Sequence, residues 1–265
     1  MKTVNIIRRH AEMVFDFGRS LPLIRAIEKT IRPGDVVVDL GCGLGLLSFA
    51  AVHAGAKRVY AIDVDSGALD FARWQAKQLG MEKKICFLND HSYNVDLVEK
   101  ADLLIQETIG RLAFDENFLP TLIDAKKRFL KPRGNIIPQE VRLMGVPLDS
   151  KRKFIKKPSI LAKITSKNAK NAEINIKKTW KMTKKSNFKG ILVWPYVIWT
   201  KGEITDASPK VPETHWHQTL FPTSRPISSR YLLVGGAKLV LNFKPHPQNP
   251  LYNSQIEWQI GPPIL

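Results

Sequence analysis

The chain is poor in the residues that mark secreted, metal-binding and membrane proteins. It has only two cysteines in 265 residues, Cys42 and Cys86, so it offers neither a disulfide framework nor the ligand spacing of a metal site. No apolar run approaches the roughly 20 residues that cross a bilayer, and residues 1–9 hold no apolar stretch typical of a secretory signal. These absences predict a cytoplasmic protein without a metal.

Acidic residues are also scarce, and the resulting positive charge is concentrated in one place. The chain carries 41 Lys and Arg against 24 Asp and Glu, a formal net charge of +17. Residues 151–189 hold 14 of those basic residues and a single acid, Glu173. A cationic face of this kind attracts nucleic acid, anionic lipid or an acidic protein. A solvated lysine-rich connection would have the same composition, so an anionic partner and a plain connector both stay open.

Strand and helix patterns divide the sequence into two unlike parts. Before residue 147, β-branched strands alternate with helices, after an N-terminal helix interrupted near Gly18 and Pro22. This alternation predicts an α/β, Rossmann-type domain with a mostly parallel sheet over residues 1–146. Residues 147–189 are interpreted as a basic connector or insert. Strand-like runs separated by Pro and Gly then predict a small antiparallel β-barrel or sandwich over residues 190–265.

A glycine-rich turn follows the first predicted strand. Residues 39–45 read Asp-Leu-Gly-Cys-Gly-Leu-Gly and open an apolar helix. Glycines at such a turn let backbone N–H groups and the helix N-terminus approach a polar ligand closely. The spacing differs from the G-x-G-x-x-G of dinucleotide-binding domains, and Asp63 ends the next strand 18 residues after Gly45. The motif resembles that of the Rossmann-type methyltransferases, which use S-adenosylmethionine.

Three further clusters lie outside the glycine turn. The loop after the fourth strand carries Glu107 and Glu116, nine positions apart. The tripeptide Thr-His-Trp stands at residues 214–216, and residues 10–19 read His-x-x-Met-x-x-Asp-x-x-Arg. In this order and spacing, the clusters resemble the double-glutamate loop, the Thr-His-Trp loop and the N-terminal helix of the protein arginine methyltransferases.

The resemblance covers residues 10–146 and 190–260, and it implies a role for each matching residue. It implies that S-adenosylmethionine, with S-adenosylhomocysteine as its product, is held by His10, Arg19, Asp39, Gly41, Gly43, Gly45, Asp63, Asp90 and His91. It implies catalytic roles for Glu107, Glu116, His215 and Asp16, with Asp16 paired to His215. It places Met13 and Trp216 along the substrate channel. Each of four residues also has a structural alternative. Arg19 could form an ion pair on a helix face and Asp16 could cap a helix, while Met13 and Trp216 could be core residues.

Paired carboxylates suit an arginine acceptor on chemical grounds. An arginine side chain stays protonated in proteins, with a pKa above about 12, and its delocalised lone pairs make it a poor nucleophile. Two carboxylates that grip the guanidinium unequally leave one nitrogen freer to attack a sulfonium methyl, and each charge-assisted bond contributes about 1.5–3 kcal/mol. Two acids so close repel each other, so one of them should have a raised pKa until a cation binds.

The sequence departs from the family in two places and leaves the acceptor open. Only nine residues precede His10, so the family's N-terminal lid is missing, and residues 151–189 show no match to its dimerisation arm. The favoured function is methyl transfer to arginine in a protein or peptide. Free arginine or another small guanidine is the alternative, because residues 151–189 would repel an arginine-rich substrate. A nucleic-acid methyltransferase ranks lower, since residues 105–108 lack the Asn/Asp-Pro-Pro-aromatic signature of base methylation. A non-catalytic module that binds RNA or a membrane through residues 151–189 is a further alternative.

Overall fold

The computed structural model describes residues 10–180, 188–212, 214–222, 237–244 and 255–261. After a helical start at residues 10–14, helices and strands alternate in the order α1 (Phe17–Thr30), β1 (Val36–Leu40), α2 (Leu46–His53), β2 (Arg58–Asp63), α3 (Ser66–Gln78), β3 (Ile85–Asn89), β4 (Ala101–Gln106), α4 (Phe118–Phe129) and β5 (Leu130–Ile137). Strands then dominate: β6 (Glu140–Asp149), β7 (Ser159–Thr165), β8 (Ile174–Trp180), β9 (Phe188–Thr200), β10 (Glu203–Asp206), β11 (Thr219–Pro222), β12 (Ala237–Lys244) and β13 (Gln255–Gly261). Short 3-10 turns lie at Ser92–Asn94 and Ser166–Asn168. Within the described residues, no helix is both long and apolar enough to cross a bilayer.

Strands β1 to β5 form one parallel sheet, in the order β3-β2-β1-β4-β5. All five residues of the central strand β1 are buried, as a parallel strand covered on both faces requires. The direction of winding reverses between β1 and β4. Ligands of open α/β sheets bind at the carboxyl ends of the strands beside such a switch point. The predicted Rossmann-type sheet is confirmed, and its switch point lies where the glycine turn and the double-glutamate loop begin.

The later strands form two antiparallel sheets. One has the order β10-β9-β6-β7, with β11 also paired to β9, and the other has the order β13-β12-β8. The antiparallel class is as predicted, whereas closure into a barrel or a sandwich stays a proposal. Strand β6 pairs with β9 from Glu140 to Asp149, so the boundary predicted after residue 146 cuts through a strand. We propose the boundary at residues 138–139 instead, between the last parallel and the first antiparallel strand.

The predicted basic connector, residues 147–189, contains regular structure. Strands β7 and β8 lie within it, and each is an edge of its sheet among the described strands. In β8, the buried residues Ile174 and Ile176 alternate with the exposed residues Asn175 and Lys177. This alternation puts Lys177 on the solvent face, whereas Lys178 on the opposite face is half-buried, so charged residues are compatible with this strand. The described strands of this segment are therefore part of the antiparallel architecture rather than a connection.

Helix α1 joins the parallel and antiparallel parts. Pro22 has no N–H to donate to the carbonyl of Gly18 one turn earlier, and that carbonyl accepts from Thr205 Oγ1 of β10 at 3.1 Å instead. The same hydroxyl accepts from Nε1 of the buried Trp199 at 2.8 Å. The helix was expected to break near Gly18 and Pro22. It breaks at Asp16, and Pro22 lies inside α1 because the other part of the chain satisfies the carbonyl that proline leaves unpaired.

Candidate active site

The glycine turn lies at the carboxyl end of β1, and its three glycines have left-handed backbones. The φ angle is +69° at Gly41, +51° at Gly43 and +85° at Gly45, a region that L side chains rarely adopt. A Cβ on Gly43 would lie 2.9 Å from Nδ1 of His10, so the ring of His10 packs against the turn. Gly45 precedes α2, whose first N–H groups have no partner within the helix. The turn therefore presents backbone donors beside His10.

Asp63 ends β2 beside the glycine turn. Its Oδ2 accepts from the N–H of Gly43 at 2.7 Å, and its Oδ1 accepts from the N–H of Asp65 at 2.9 Å. Each carboxylate oxygen has a second lone pair that can accept from a hydroxyl group. Asp63 also lines a cavity at the switch point. Its carboxylate is thus held in place by the backbone and is positioned to receive a ligand's hydroxyl groups.

The cavity at the switch point connects several predicted site residues. Its walls are formed by the glycine turn, the ends of β2 and β3, and the loop after β4, and they include Gly41, Asp63, Asp90, Thr108 and Glu116. Residues predicted to hold a cofactor and a residue predicted to hold a cation therefore share one cavity. Sequence reasoning did not single out Thr108, whose side chain packs so close to Gly41 that a Cβ there would lie 2.9 Å from its Cγ2.

Asp90 and His91, the predicted adenine contacts, lie on the wall of that cavity. Asp90 Oδ1 accepts from Nδ2 of Asn94 at 2.8 Å and from the N–H of His91 at 2.6 Å, and these bonds lower the pKa of Asp90. The imidazole of His91 stacks on Tyr93 with a centroid separation of 4.7 Å. The carboxylate of Asp90 remains exposed to a ligand. The His91 N–H already has a partner, which it would have to exchange before it contacted an adenine.

Asp39 lies behind the glycine turn rather than in the cavity. Its side chain is fully buried, and its Oδ2 accepts from the hydroxyl of Ser48 at 2.7 Å. Burial raises the pKa of Asp39 to about 7. The expectation that Asp39 contacts the cofactor is therefore corrected to a positioning role, since its carboxylate ties the end of β1 to α2. Ser48 was missed because a single serine within a helix forms no recognisable motif.

The loop after β4 is held together from inside. The amide of the buried Gln106 donates from Nε2 to Thr108 Oγ1 at 2.9 Å and to the carbonyl of Phe118 at 3.0 Å, which joins the two ends of the loop. The carboxylate of Asp115 fills the loop so closely that a Cβ on Gly110 would lie 2.2 Å from its Oδ1. These contacts give the glutamates of the loop a defined position, although the motif itself highlights only the glutamates.

Glu107 and Glu116 interact with each other and with one guanidinium group. Arg19 donates from Nη1 to Oε2 of Glu107 and from Nη2 to the carbonyl of Met13 at 2.7 Å. Burial raises the pKa of Glu107 to about 7; the charge of Arg19 opposes this, and that of Glu116 adds to it. Glu116 lies at the mouth of the loop and is exposed. Partial burial and the negative charge of Asp115 still raise the pKa of Glu116, while the positive charge of Arg19 lowers it. Glu107 therefore binds Arg19 directly, and Glu116 lies near enough to influence the pKa of Glu107.

Asp16 and His215 are in contact across the two parts of the chain. Oδ2 of Asp16 lies 2.9 Å from Nδ1 of His215 and accepts from the backbone N–H of His215 at 2.9 Å. Oδ1 of Asp16 caps α1 by accepting from the N–H of Arg19 at 3.1 Å. Burial would raise the pKa of Asp16, but its bonds from His215 outweigh that effect and hold the pKa low. Burial lowers the pKa of His215, which favours a neutral ring whose Nδ1–H faces an ionised Asp16.

The predicted channel residues take other positions. Trp216 is only 1% exposed and packs against Trp199 and His215, with centroid separations of 6.2 and 5.2 Å. A side chain so deeply buried is part of the core, so the channel assignment is corrected to the core alternative. Met13 is half-buried and contributes its carbonyl to the position of Arg19. The expected absence of a lid concerns residues 1–9, which lie outside the described residues.

Comparison with known proteins shows what this chain is similar to. The sequence profile described as ribosomal protein L11 methyltransferase matches residues 22–139. The "Probable protein arginine N-methyltransferase 6" of Arabidopsis thaliana is 37% identical over 141 residues, which are 52% of this chain and 32% of that protein. The "Arginine N(omega)-methyltransferase" of Streptomyces achromogenes subsp. streptozoticus is 33% identical over 145 residues, 53% of this chain and 40% of that protein. Over these segments the chain is similar to protein arginine methyltransferases. Its matched segment spans only about a third to two fifths of the length of these curated relatives.

Solved protein arginine methyltransferases share the fold over nearly the whole chain. The Trypanosoma brucei PRMT1 enzyme–prozyme complex with AdoHcy has a TM-score of 0.79 at 20% identity and covers 95% of this chain and 97% of that one. Protein arginine methyltransferase 10 of Arabidopsis thaliana has a TM-score of 0.80 at 19% identity and covers 95% and 92%. At these identities the likeness shows the fold. The likeness extends beyond the parallel sheet to the antiparallel strands.

Proposed function

We propose that this chain transfers a methyl group from S-adenosylmethionine to a guanidinium nitrogen of arginine in a protein or peptide. The observation that carries the proposal is the guanidinium of Arg19 held on Glu107, with Glu116 close enough to raise the pKa of Glu107. Glu107 thus binds a group of the acceptor's chemistry beside the cavity at the switch point. The printed name of the Arabidopsis relative, a protein arginine N-methyltransferase, supports the same acceptor.

The residues around the cavity fit the cofactor. The guanidinium of Arg19 is buried, and its Nε has no acceptor among the described residues, so a carboxylate brought beside it would satisfy a buried donor. Asp63 and Asp90 present carboxylate oxygens to the cavity, where ribose hydroxyls and an adenine amino group can donate to them. When bound, S-adenosylmethionine supplies the electrophilic methyl group, and the Trypanosoma brucei neighbour is described with AdoHcy.

The residues of the chain then bind, orient and deprotonate the acceptor. Glu107 and Glu116 would grip its guanidinium unequally, which leaves the lone pair of one nitrogen available. On accepting the methyl group, that nitrogen would have to give up a proton, which residues of the chain would need to take up. The charge of Asp16 influences Glu107, and the charge of Arg19 influences His215. The Asp16–His215 pair is therefore the proposed acceptor of the proton.

The test compares Glu107→Gln with Glu82→Gln, an exposed glutamate of the turn before β3. Labelled S-adenosylmethionine is incubated with cell extract, arginine-rich peptides or free arginine, and mass spectrometry identifies the methylated atom. We expect Glu107→Gln to lose turnover by roughly 100-fold or more, because a group that stabilises the charged reacting centre is gone. Cofactor binding measured by calorimetry should persist, and Glu82→Gln should behave as the wild type. Full activity in Glu107→Gln would refute the proposal.

Free arginine, or another small guanidine, is a second candidate acceptor. The Streptomyces relative carries the name arginine N(omega)-methyltransferase, without mention of a protein. The net charge of +17 also disfavours arginine-rich peptides, whereas a single small cation is repelled less. The same assay separates the two candidates, since label would appear in free methylarginine and not in peptide.

Two further proposals do not depend on methyl transfer. A cytoplasmic location is supported by the thiols of Cys42 and Cys86, which are both free. Alkylation after denaturation of protein isolated from cells should label both thiols, since Cys42 is buried in the folded chain, and a disulfide would argue against this location. An anionic partner at residues 151–189 is supported by the excess of basic residues there.

A further inference from the structure

A strongly basic surface covers the described part of that segment, residues 151–180. This stretch, the basic surface, carries ten Lys and Arg and one acid, Glu173. Eight of the ten basic residues are exposed: Lys151, Arg152, Lys153, Lys157, Lys163, Lys167, Lys170 and Lys177. Among the described residues, Lys163 is the only one of the ten with an acidic partner, Glu140 at 3.8 Å. The charge of the basic surface is therefore left largely unneutralised by the rest of the described chain.

The basic surface contains a depression of about 430 Å³. It lies where β7 begins and β8 ends, two strands that contact each other without being hydrogen-bonded neighbours in a sheet. Its walls combine ammonium, hydroxyl and indole groups and are formed by Lys156, Lys157, Ser159, Lys178, Thr179 and Trp180. Lys156 and Lys178 are the two basic residues of this surface that are half-buried rather than exposed. The described walls of the depression thus offer many donors and include no carboxylate.

Trp180 provides an independent sign that the depression lacks an acceptor. The side chain is 5% exposed, and its indole Nε1 is buried with no hydrogen-bond partner among the described residues. A buried donor without a partner destabilises the folded chain. An acceptor oxygen brought within reach of this N–H would satisfy it, and the hydroxyls of Ser159 and Thr179 on the same wall can donate to further acceptor oxygens.

We propose that this depression binds the phosphate backbone of a nucleic acid strand. Phosphate oxygens only accept hydrogen bonds, which matches walls rich in donors. The depression is larger than a single phosphate group, and the exposed lysines extend the positive charge beyond its rim, which fits a chain of phosphates better than one anion. The ring of Trp180 is buried and cannot stack on a base. Recognition is therefore electrostatic and independent of base sequence.

The test measures binding of a fluorescent single-stranded RNA of about 12 nucleotides, and of DNA of the same sequence, over a range of salt concentrations. The variant combines Lys156→Gln, Lys157→Gln and Lys178→Gln. Its matched control, with the same loss of charge on the exposed surface of the parallel-sheet part, combines Lys77→Gln, Lys83→Gln and Lys84→Gln. We expect the slope of log K against log salt to fall by about 2 in the first variant, for three lost single-strand contacts, and to change little in the control.

A second variant probes the indole donor. Trp180→Phe keeps an aromatic ring but removes the N–H, and it should weaken RNA binding by roughly three- to tenfold if unfolding curves show that it folds. Unchanged affinity in Trp180→Phe, or equal slopes in the two triple variants, would overturn the proposal. Stronger binding of poly-glutamate than of RNA at equal charge would also overturn the proposal, and would indicate that the natural partner is an acidic protein. None of these measurements requires methyl transfer, so they stand whether or not the proposed reaction occurs.

Discussion

Oδ2 of Asp16 lies 2.9 Å from Nδ1 of His215, a contact between residues 199 positions apart. Asp16 is the cap of α1, and His215 belongs to the loop before β11. The bond therefore joins the start of the Rossmann-type part to the antiparallel strands. Because the other oxygen of the same carboxylate caps α1, one side chain orients the helix that carries Arg19 and the imidazole of His215.

Replacing either member of this pair should destabilise the chain by different amounts. Asp16→Ala removes the helix cap and the bond to His215, and we expect a loss of about 2–4 kcal/mol in the free energy of unfolding. His215→Ala removes the cross-part bond alone and should cost about 1–2 kcal/mol. Urea unfolding of the single and double variants measures both. The double variant should lose less than the sum of the two, and strict additivity would show that the two residues do not act together.

Gly43→Ala should reduce cofactor affinity more than its effect on stability explains. The φ of +51° costs about 1–2 kcal/mol for an L side chain, and the added Cβ would also press on His10 at 2.9 Å. Gly80→Ala is the matched control, since Gly80 has a φ of +67° with nothing within 4 Å of the added Cβ. Both variants should lose stability on thermal unfolding, but calorimetric titration with S-adenosylmethionine should show weaker binding in Gly43→Ala alone. Equal affinities for S-adenosylmethionine in the two variants would show that the glycine turn does not contact the cofactor.

Sequence patterns predict the parallel part well because its determinants are local. The glycine turn and the acid Asp63 depend on residues that stand close together in the chain, so their type and spacing are informative. The pairing of Glu107 with Glu116 is also local, since nine positions allow a loop to return to its start. The same reasoning could not show Gln106 closing that loop, because a buried amide that bonds a distant carbonyl leaves no periodic signal.

The features that were mispredicted depend on contacts between distant segments. Strand β6 belongs to the antiparallel part because it pairs with β9, and nothing within residues 140–149 indicates that partner. Pro22 does not end its helix because Thr205 satisfies the carbonyl of Gly18. Trp216 belongs to the core because Trp199 packs beside it. In each case a tertiary contact overrides a local tendency, which explains why motifs were predicted more accurately than boundaries and exposure.

The stability of the Trp216→Ala variant tests whether Trp216 is a core residue. Deleting a large, fully buried aromatic side chain costs roughly 3–5 kcal/mol, so we expect a large drop in the free energy of unfolding. Trp216→Phe keeps most of the buried ring and should be milder, with KM for arginine substrates close to that of the wild type. A Trp216→Phe variant of normal stability with a strongly raised KM would restore the substrate-channel assignment.

The pH dependence of stability should report on Glu107. Burial raises the pKa of Glu107 from its ordinary value of 4.5 to about 7. Between these values the folded chain keeps a proton that the unfolded chain has lost, so the wild type becomes less stable as the pH rises through that window. Glu107→Gln has no such proton. The difference in Tm between variant and wild type, measured from about pH 5 to pH 8, should therefore shift in favour of the variant as the pH rises. Glu82→Gln serves as the control and should show no such shift. If the difference in Tm between Glu107→Gln and the wild type did not change with pH, Glu107 would be ionised throughout the window. The positive charge of Arg19 would then offset the effect of burial on its pKa.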